Sequence, residues 1–314
     1  IGILLSLTLN YLGPTKAAAR QIQCQQRLQQ ISVAAINYAQ AKGHLPGYLQ
    51  RYGQFAGGFD PSDPGNSGGN VAPHVKIGSW HIALLANLDN QPIYEHWTDD
   101  RYPVISDGNG ARPKTHEGYS GIAAPNLAVL QCPSASGSIA THGKNNYVAN
   151  TGFHADAFPF AYTRPGDSPR SVSFAQSMDH RNGLFNNRYA GFIATSPAQR
   201  VAVGRPIGLD DCRDGMTNTM MFSENHQAQP FYLTSLSGNT SHLTTLRPAG
   251  AEVIVAYPVQ SRYLQGAVWH FEDPTNFAGA ALPLPVHRIN GGDVYNDQMN
   301  RGNFTDLARP SSLH

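Results

Sequence analysis

The chain opens on an apolar segment that runs without a charged residue from Ile1 to Leu12. As an α-helix this segment would rise about 18 Å, whereas a helix that spans a bilayer needs roughly 20 residues. The segment also lacks the positive amino-terminal region and the small-residue cleavage site of a secretory signal. We therefore interpret residues 1–12 as the second half of a longer apolar helix.

A second helical pattern follows over Thr15–Lys42, where apolar side chains recur near helical spacing among uncharged glutamines. Gly13 and Pro14 precede it and predict a break, because proline lacks the N–H and clashes with the preceding turn. Gly43 stands where a left-handed residue commonly ends a helix. Together the patterns predict a stem helix over residues 1–42, about 60 Å long if straight. The alternative is a long core helix with a frayed start.

The remaining residues, 43–314, are predicted to form a globular, β-rich head domain. One further segment, Ser79–Trp97, has a strong helical pattern, with an interruption near Asp89–Pro92. Elsewhere short apolar runs alternate with clusters of Gly, Pro, Ser and Asn, which is typical of strands joined by turns. The strand-length runs are Leu127–Leu130, Asn146–Ala149, Gly191–Thr195, Thr219–Phe222, Glu252–Tyr257 and Ala267–Phe271. The predicted fold class is α+β, a long N-terminal helix packed on an antiparallel, loop-rich β head domain.

Composition favours an exported protein. Only 14% of the 314 residues are charged, against a usual share of about 25%. The 22 Lys and Arg nearly balance the 21 Asp and Glu. Because nucleic-acid binding needs clustered cations, we expect no nucleic-acid partner. The 31 Gly and 22 Pro agree with a head that is rich in turns.

The order of several short motifs resembles one known family. In that family the stem of a type IV pilin or type II secretion pseudopilin is fused to a large C-terminal domain of unknown function. The stem segments that carry the resemblance are Ile1–Leu4, Ala17–Cys24, Leu28–Ile31 and Asn37–Tyr38. The head segments are Ser79–Leu85, Gln91–Tyr94, Cys132–Ser134, Asn146–Gly152, Asp214–Thr219, Ser223–Asn225 and Ala308–His314.

Three features differ from the family pattern. The family begins with a basic leader, a methylated first residue and an early Glu, so further mature residues are expected before Ile1. It usually continues past His314 with a further strand. Relatives commonly carry a proline near the position of Asn10, whereas this chain has Pro14.

The resemblance implies a structural role rather than an enzymatic one. It implies a subunit that is anchored in the inner membrane before assembly and packs with copies of itself into an extracellular filament. A pilus or secretion machinery would assemble it, and Gly13 and Pro14 would let the stem bend. The predicted helix–helix surface, which is the filament core or membrane half of the stem, is Ile1, Ile3, Leu4, Leu5, Leu7, Leu9 and Leu12.

Two other functions stay open. The first is a membrane-anchored surface protein whose head binds a ligand or carbohydrate, suggested by Trp80, Trp97, Trp269 and many tyrosines. The second is an enzyme whose site no motif reveals.

Three cysteines permit one disulfide and one remaining thiol in an exported chain. Cys24 and Cys132 fall in motifs of the family, so the resemblance favours a disulfide between them. A Cys132–Cys212 bridge and three reduced thiols are the alternatives.

The sequence offers weak candidates for other sites. Asp210, Asp211 and Asp214 carry the oxygen ligands that calcium prefers, without the spacing of an EF-hand. A solvated turn is the simpler interpretation, so calcium is the one cofactor considered. Gly65–Gly69 matches a serine-protease nucleophile motif, but too little chain precedes it for the other triad members. Asn239 and Asn303 begin glycosylation sequons.

Overall fold

The computed structural model describes residues 2–63, 69–106, 118–134, 142–153, 174–189, 192–193, 196–200, 202–212, 214–225, 228–234 and 258–269, with the side chains of the first helix from Thr15 onward. The helices are α1 (Gly2–Lys42), α2 (Trp80–Leu84), α3 (Gln91–Thr98), α4 (Phe174–Ser177) and α5 (Pro258–Gln265). The strands are β1 (Gln50–Phe55), β2 (His74–Gly78), β3 (Tyr147–Phe153), β4 (Phe192–Ile193), β5 (Ser196–Arg200), β6 (Phe222–Glu224) and β7 (Gly266–Trp269). The fold class is α+β, as predicted.

Helix α1 continues through the predicted break at Gly13 and Pro14. The helix is therefore not interrupted at these residues, and bending of the stem there stays a prediction. Proline removes one backbone hydrogen bond from a helix, but the chain does not have to leave the helical conformation for that reason. The predicted end is confirmed, since α1 stops at Lys42 and Gly43 follows with a φ of 75°. The amide of Gly43 donates to the carbonyl of Ala39 at 2.8 Å, which closes the last turn.

The predicted helix over Ser79–Trp97 forms as two α-helices, α2 and α3, with the interruption where the sequence places it. A 3₁₀ turn over Leu85–Leu88 follows α2 directly. Asp89 then adopts a φ of 58°, a left-handed conformation that reverses the chain before α3 begins with Pro92 in its first turn.

Small sheets make up the β part of the described fold. Strands β1 and β2 form an antiparallel pair, and β4 and β5 form another. The third sheet has the order β6-β3-β7, in which β3 is antiparallel to β6 and parallel to β7. The runs predicted as strands near 146–149, 191–195 and 267–271 overlap β3, β4 and β7. Leu127–Leu130 forms a 3₁₀ turn instead, β6 begins only at Phe222, and Glu252–Tyr257 lies outside the described residues.

One hydrophobic core joins the second half of α1 to the head. Small and branched side chains of α1 are buried in it: Ile31, Ala34, Ala35 and Ala39. The helix contacts α2, β6 and the 3₁₀ turn at Ala128–Leu130. The small alanine side chains leave room for larger neighbours in this core. Large aromatic residues of the head belong to the same core, among them Tyr48, Trp80 and Tyr147. Within the part of the chain that the structure describes, no helix is both long enough and apolar enough to cross a membrane.

Candidate functional site

The point where α1 enters the head is the most distinctive feature of the described fold. Residues 15–23 are all exposed, although they belong to a regular helix. Among the α1 side chains that the structure describes, those from Thr15 onward, Cys24 is the first that is buried, and from there to Ala39 one side of the helix packs in the core. We call residues 16–23 the free part of the stem. A helical stem therefore projects from the head and is held from Cys24 onward.

A disulfide fastens the stem at this entry point. Cys24 and Cys132 are bonded, with 5.0 Å between their Cα atoms, and both are buried. This is the pairing that the resemblance favoured, and Cys212 is the cysteine outside it. The bond links residues 108 positions apart in the chain, so it closes a large loop.

Hydrogen bonds reinforce the same contact. The Tyr147 hydroxyl donates to the carbonyl of Cys24 at 3.3 Å, and the Arg27 guanidinium donates to the carbonyl of Gln131. The amide of Cys132 donates to Oδ1 of Asn146 at 2.9 Å. Burial raises the pKa of Tyr147 above its usual range, and the Glu224 carboxylate raises it further while Arg27 lowers it. We call Cys24, Arg27, Cys132, Tyr147 and Glu224 the junction.

The sequence did not identify Glu224 as a site residue, although Glu224 lies in one of the family motifs, Ser223–Asn225. Its carboxylate reaches the junction from β6, with Oε2 3.9 Å from Sγ of Cys132. Among the residues that the structure describes, Cys24, Cys132 and Glu224 are the group whose potential metal-ligand atoms lie within 4.8 Å of one another. In the disulfide state both sulfurs are bonded to each other, so they are not available as thiolate ligands. No sequence signal joins Glu224 to the cysteines, because 92 residues separate it from Cys132.

The structure does not assemble the calcium site considered for Asp210, Asp211 and Asp214. Asp211 is the residue that prevents it: its carboxylate accepts from the amide of Gly208 at 2.8 Å and pairs with Arg205 at 2.5 Å. These contacts lower the pKa of Asp211, the Gly208 amide most. Asp210 and Asp214 are exposed. The simpler interpretation, a turn with solvated carboxylates, fits Asp210 and Asp214 but not Asp211.

A cavity of about 290 Å³ lies between β3, residues 180–184 and the turn after Cys212. His180 and Cys212 both line it, and Nδ1 of His180 lies 3.0 Å from a carboxylate oxygen of Asp179. Burial and the neighbouring Asp211 raise the pKa of the Cys212 thiol. A thiol with a raised pKa is a poor nucleophile near neutral pH, since the thiolate is the reactive form.

The tryptophans that suggested a carbohydrate platform are core residues where the structure describes them. Trp80 and Trp97 are fully buried. Their indole N–H groups donate to the carbonyls of Gln265 and Ala123, each at 2.9 Å. Since a sugar-binding aromatic ring must be exposed, neither serves that purpose. The side chain of Trp269 lies outside the described residues.

The sequence also did not predict that two ionisable residues, Lys76 and His81, are buried. Nζ of Lys76 donates to the carbonyls of His96 and Asp99 at the end of α3, and burial lowers its pKa to about 8. Burial lowers the pKa of His81 to about 3. Strands and helices are predicted from the spacing of apolar residues along the chain. Lysine and histidine count as polar in both patterns, so neither pattern predicts that Lys76 and His81 are buried.

Hydrogen bonds fix the tautomer of His81. The hydroxyl of Ser79 donates its one proton to the carbonyl of Phe231 at 2.6 Å. Nδ1 of His81, 3.0 Å from the same oxygen, must therefore be the donor in that contact. Nε2 then carries the lone pair.

Several predicted sites lie outside the described residues: Ile1, the side chains of Ile3, Leu4, Leu5, Leu7, Leu9 and Leu12, residues 65–68 of the protease-like motif, both sequon asparagines Asn239 and Asn303, and His314.

Comparison with known proteins places the chain in a family. The family model SBP_bac_10, described as protein of unknown function (DUF1559), matches residues 14–278. No curated protein and no solved structure matches the chain. The matched residues include the free part of the stem, the junction and all of the described head. Because the match covers most of the chain, the protein belongs to the DUF1559 family of unknown function.

Proposed function

We propose that the chain is a pilin-like structural subunit that assembles through its N-terminal helix into an extracellular filament of the type IV pilus or pseudopilus kind. The free part of the stem carries this proposal. Residues 15–23 are exposed, although the same helix is buried in the head from Cys24 onward. A short helix is marginal in water without tertiary contacts, so a projecting stem calls for a partner that covers it.

The apolar segment before the stem supports the same role. Residues 1–12 hold no charged side chain, and they require burial, in lipid before assembly and against other stems afterwards. The inner membrane and copies of the same chain are the proposed partners, together with a pilus or secretion assembly machinery. The proposed location is the cell surface.

The outward face of α1 has the properties that a homopolymer needs. Ile22 and Val33 are 54% and 49% exposed, and they stand eleven positions apart, which corresponds to about three helical turns. They therefore lie on the same face, where Gln26 and Gln29 separate them. In a polymer of identical subunits, like charges on this face would meet. The absence of charge from these four positions favours packing between copies.

The alternative is a membrane-anchored surface protein whose head binds a ligand or carbohydrate. The burial of Trp80 and Trp97 weakens it, because they cannot stack on a sugar. The proposed role lies in polymer and surface rather than in catalysis, which agrees with the raised pKa of Cys212.

The test is electron microscopy of material sheared from the surface of producing cells, labelled with an antibody to the head. We expect labelled filaments from the parent and none from Leu5→Asp or Leu9→Asp, because a buried charge opposes stem packing. Val203→Asp is the matched control, since Val203 is 44% exposed on the head. It should leave filaments unchanged.

Two outcomes would reject the proposal. Filaments from the Leu5 and Leu9 variants equal to those of the parent would exclude this interface. A parent protein recovered as a detergent-soluble monomer, with no filaments, would favour the anchored-head function. A glycan screen of the head would then test that function directly.

A further inference from the structure

The junction contains the ligands of a metal site that the disulfide conceals. The two sulfurs and the Glu224 carboxylate lie within 4.8 Å of one another. Two thiolates and a carboxylate are ligands that Zn²⁺ accepts, and three protein ligands plus water complete a tetrahedral site.

The observed spacing is close to what zinc requires. With Zn–S near 2.3 Å and Zn–O near 2.0 Å, a tetrahedral site separates sulfur and oxygen by about 3.5 Å. Sγ of Cys132 and Oε2 of Glu224 are 3.9 Å apart. The main adjustment is at the sulfurs, which must separate from 2.03 Å to about 3.8 Å in a zinc site. Loss of the covalent bond allows that separation.

Burial and charge around the junction suit a bound cation. Cys24 is fully buried and Cys132 is 5% exposed, while Glu224 is half-buried. Two thiolates and one carboxylate carry three negative charges, so zinc leaves a net charge of about −1. Arg27 donates to the carbonyl of Gln131, next to Cys132, and supplies a nearby positive charge. Its guanidinium and the Glu224 carboxylate both act on the pKa of Tyr147, which places them in one electrostatic environment.

We propose that the reduced junction is a zinc site formed by Cys24, Cys132 and Glu224. A dithiol reductant breaks the S–S bond, is itself oxidised to a disulfide and leaves two protein thiols. On binding Zn²⁺ the thiols release two protons to solvent, and the thiolates and carboxylate become ligands. Newly made chains hold reduced thiols, because disulfides form only in an oxidising compartment. Zinc would then hold the stem to the head until a disulfide oxidant takes two electrons from the thiolates; that oxidant is reduced to two thiols with two protons from solvent, the Cys24–Cys132 bond forms and Zn²⁺ is released. The zinc site is independent of the filament proposal.

The experiment measures zinc affinity of the full chain in mild detergent, in a Cys212→Ser background that removes the third thiol. The chain is reduced with a phosphine under anaerobic conditions and titrated with Zn²⁺ against a chromophoric chelator. We expect one zinc per reduced chain, bound tightly enough to compete with the chelator, and no such competition from the oxidised chain. Cobalt substitution should give the thiolate charge-transfer absorption of a tetrahedral site.

Variants separate the site from adventitious binding. Cys132→Ser should abolish tight binding, and Glu224→Gln should weaken it about tenfold or more, in line with changes close to metal sites. Glu95→Gln, an exposed carboxylate on α3, is the matched control and should leave affinity unchanged. Equal affinity in the Glu224→Gln variant and the parent would overturn the proposal, as would equal binding by the oxidised chain.

A second measurement applies if the chain loses its structure when the disulfide is reduced. If the reduced chain unfolds without metal, zinc should restore its circular dichroism and raise its thermal midpoint, and the Cys132→Ser variant should show neither effect. A reduced chain that zinc neither binds nor refolds would contradict the proposal.

Discussion

At the residue scale, burial makes two histidines sensitive to acid. The pKa of His74 is lowered to about 4 and that of His81 to about 3, in both cases mainly by desolvation. In the unfolded chain both titrate near 6.5. Between pH 6.5 and about 4 the unfolded state therefore binds protons that the folded state does not. The free energy of unfolding should fall as pH falls, by about 1.4 kcal/mol per pH unit for each histidine.

The contribution of His81 to the pH dependence of stability can be isolated with the variant His81→Asn. Asparagine keeps a donor near the position of Nδ1, which meets the Ser79 hydroxyl, and does not titrate. Urea unfolding at pH 7, 6 and 5 should show a pH slope smaller by about one proton in the variant than in the parent. An identical slope in the two proteins would show that His81 is not the acid-sensitive group.

Residue type alone does not reveal which polar side chains are buried. His81 follows Trp80 in a segment whose other members are apolar, and hydrophobic patterning assigns it no role. Burial keeps His81 neutral. Its ring stacks on Trp80, 3.5 Å away between centroids, and its neighbour Ser79 is held by Phe231. The second contact joins residues 152 positions apart, and no local pattern carries that information.

At the element scale, Arg262 fastens three elements together. It lies on α5 and is fully buried. Its Nε donates to the Thr151 carbonyl of β3 at 2.9 Å, and Nη1 donates to Oγ of Ser177 in α4 at 2.6 Å. The guanidinium fork thereby donates to a backbone carbonyl and a hydroxyl oxygen in the core.

Arg262→Met should lower the free energy of unfolding by about 3 kcal/mol, because charged hydrogen bonds are lost and their acceptors stay buried. Arg262→Lys should lower the free energy of unfolding by less, because the lysine ammonium can still donate to some of the acceptors that the guanidinium binds. Arg101→Met is the control, because Arg101 is exposed and pairs with Asp99 at the surface, where solvent screens ion pairs and they contribute little to stability. Urea unfolding measures all three. Similar losses for Arg262→Met and Arg101→Met would rule out the structural role.

The elements that the sequence predicts well are those with local signals. Gly43 marks the end of α1, and the Asp89–Pro92 interruption separates α2 from α3. Leu127–Leu130 was misassigned because a short apolar run fits a strand and a buried turn equally well. The parallel pairing of β7 with β3 was missed because it depends on distant partners, Ala149 and Gly266 among them.

At the scale of the whole molecule, the free part of the stem should contribute little to stability. A chain that lacks residues 1–20 should keep its free energy of unfolding within about 0.5 kcal/mol, the range of surface changes. A chain that lacks residues 1–30 also loses Cys24 and should be less stable by up to about 5 kcal/mol, since the disulfide closes a loop of 108 positions. Reversible urea unfolding measures both. A loss above 2 kcal/mol in the shorter deletion would place the free part of the stem within the folding unit.

The candidate site shows the same division between local and distant information. Cys24 and Cys132 were paired from motifs that resemble a known family, and the structure contains that pair. Glu224 could not be added, because its approach depends on the pairing of β6 with β3. The calcium ligands failed for a local reason: Asp211 serves the Gly208 amide and Arg205, so it is not available to a cation.

The disulfide also determines how the protein carries tension. A pull on the stem enters the head at Cys24, and the S–S bond passes it directly to Cys132. Residues 25–131, which include β1, β2, α2 and α3, lie on the bypassed loop and bear none of the load along the chain. Of the elements that α1 contacts, α2 and the 3₁₀ turn at Ala128–Leu130 are thus shielded from tension carried along the chain, whereas β6 follows Cys132 and lies outside the bypassed loop.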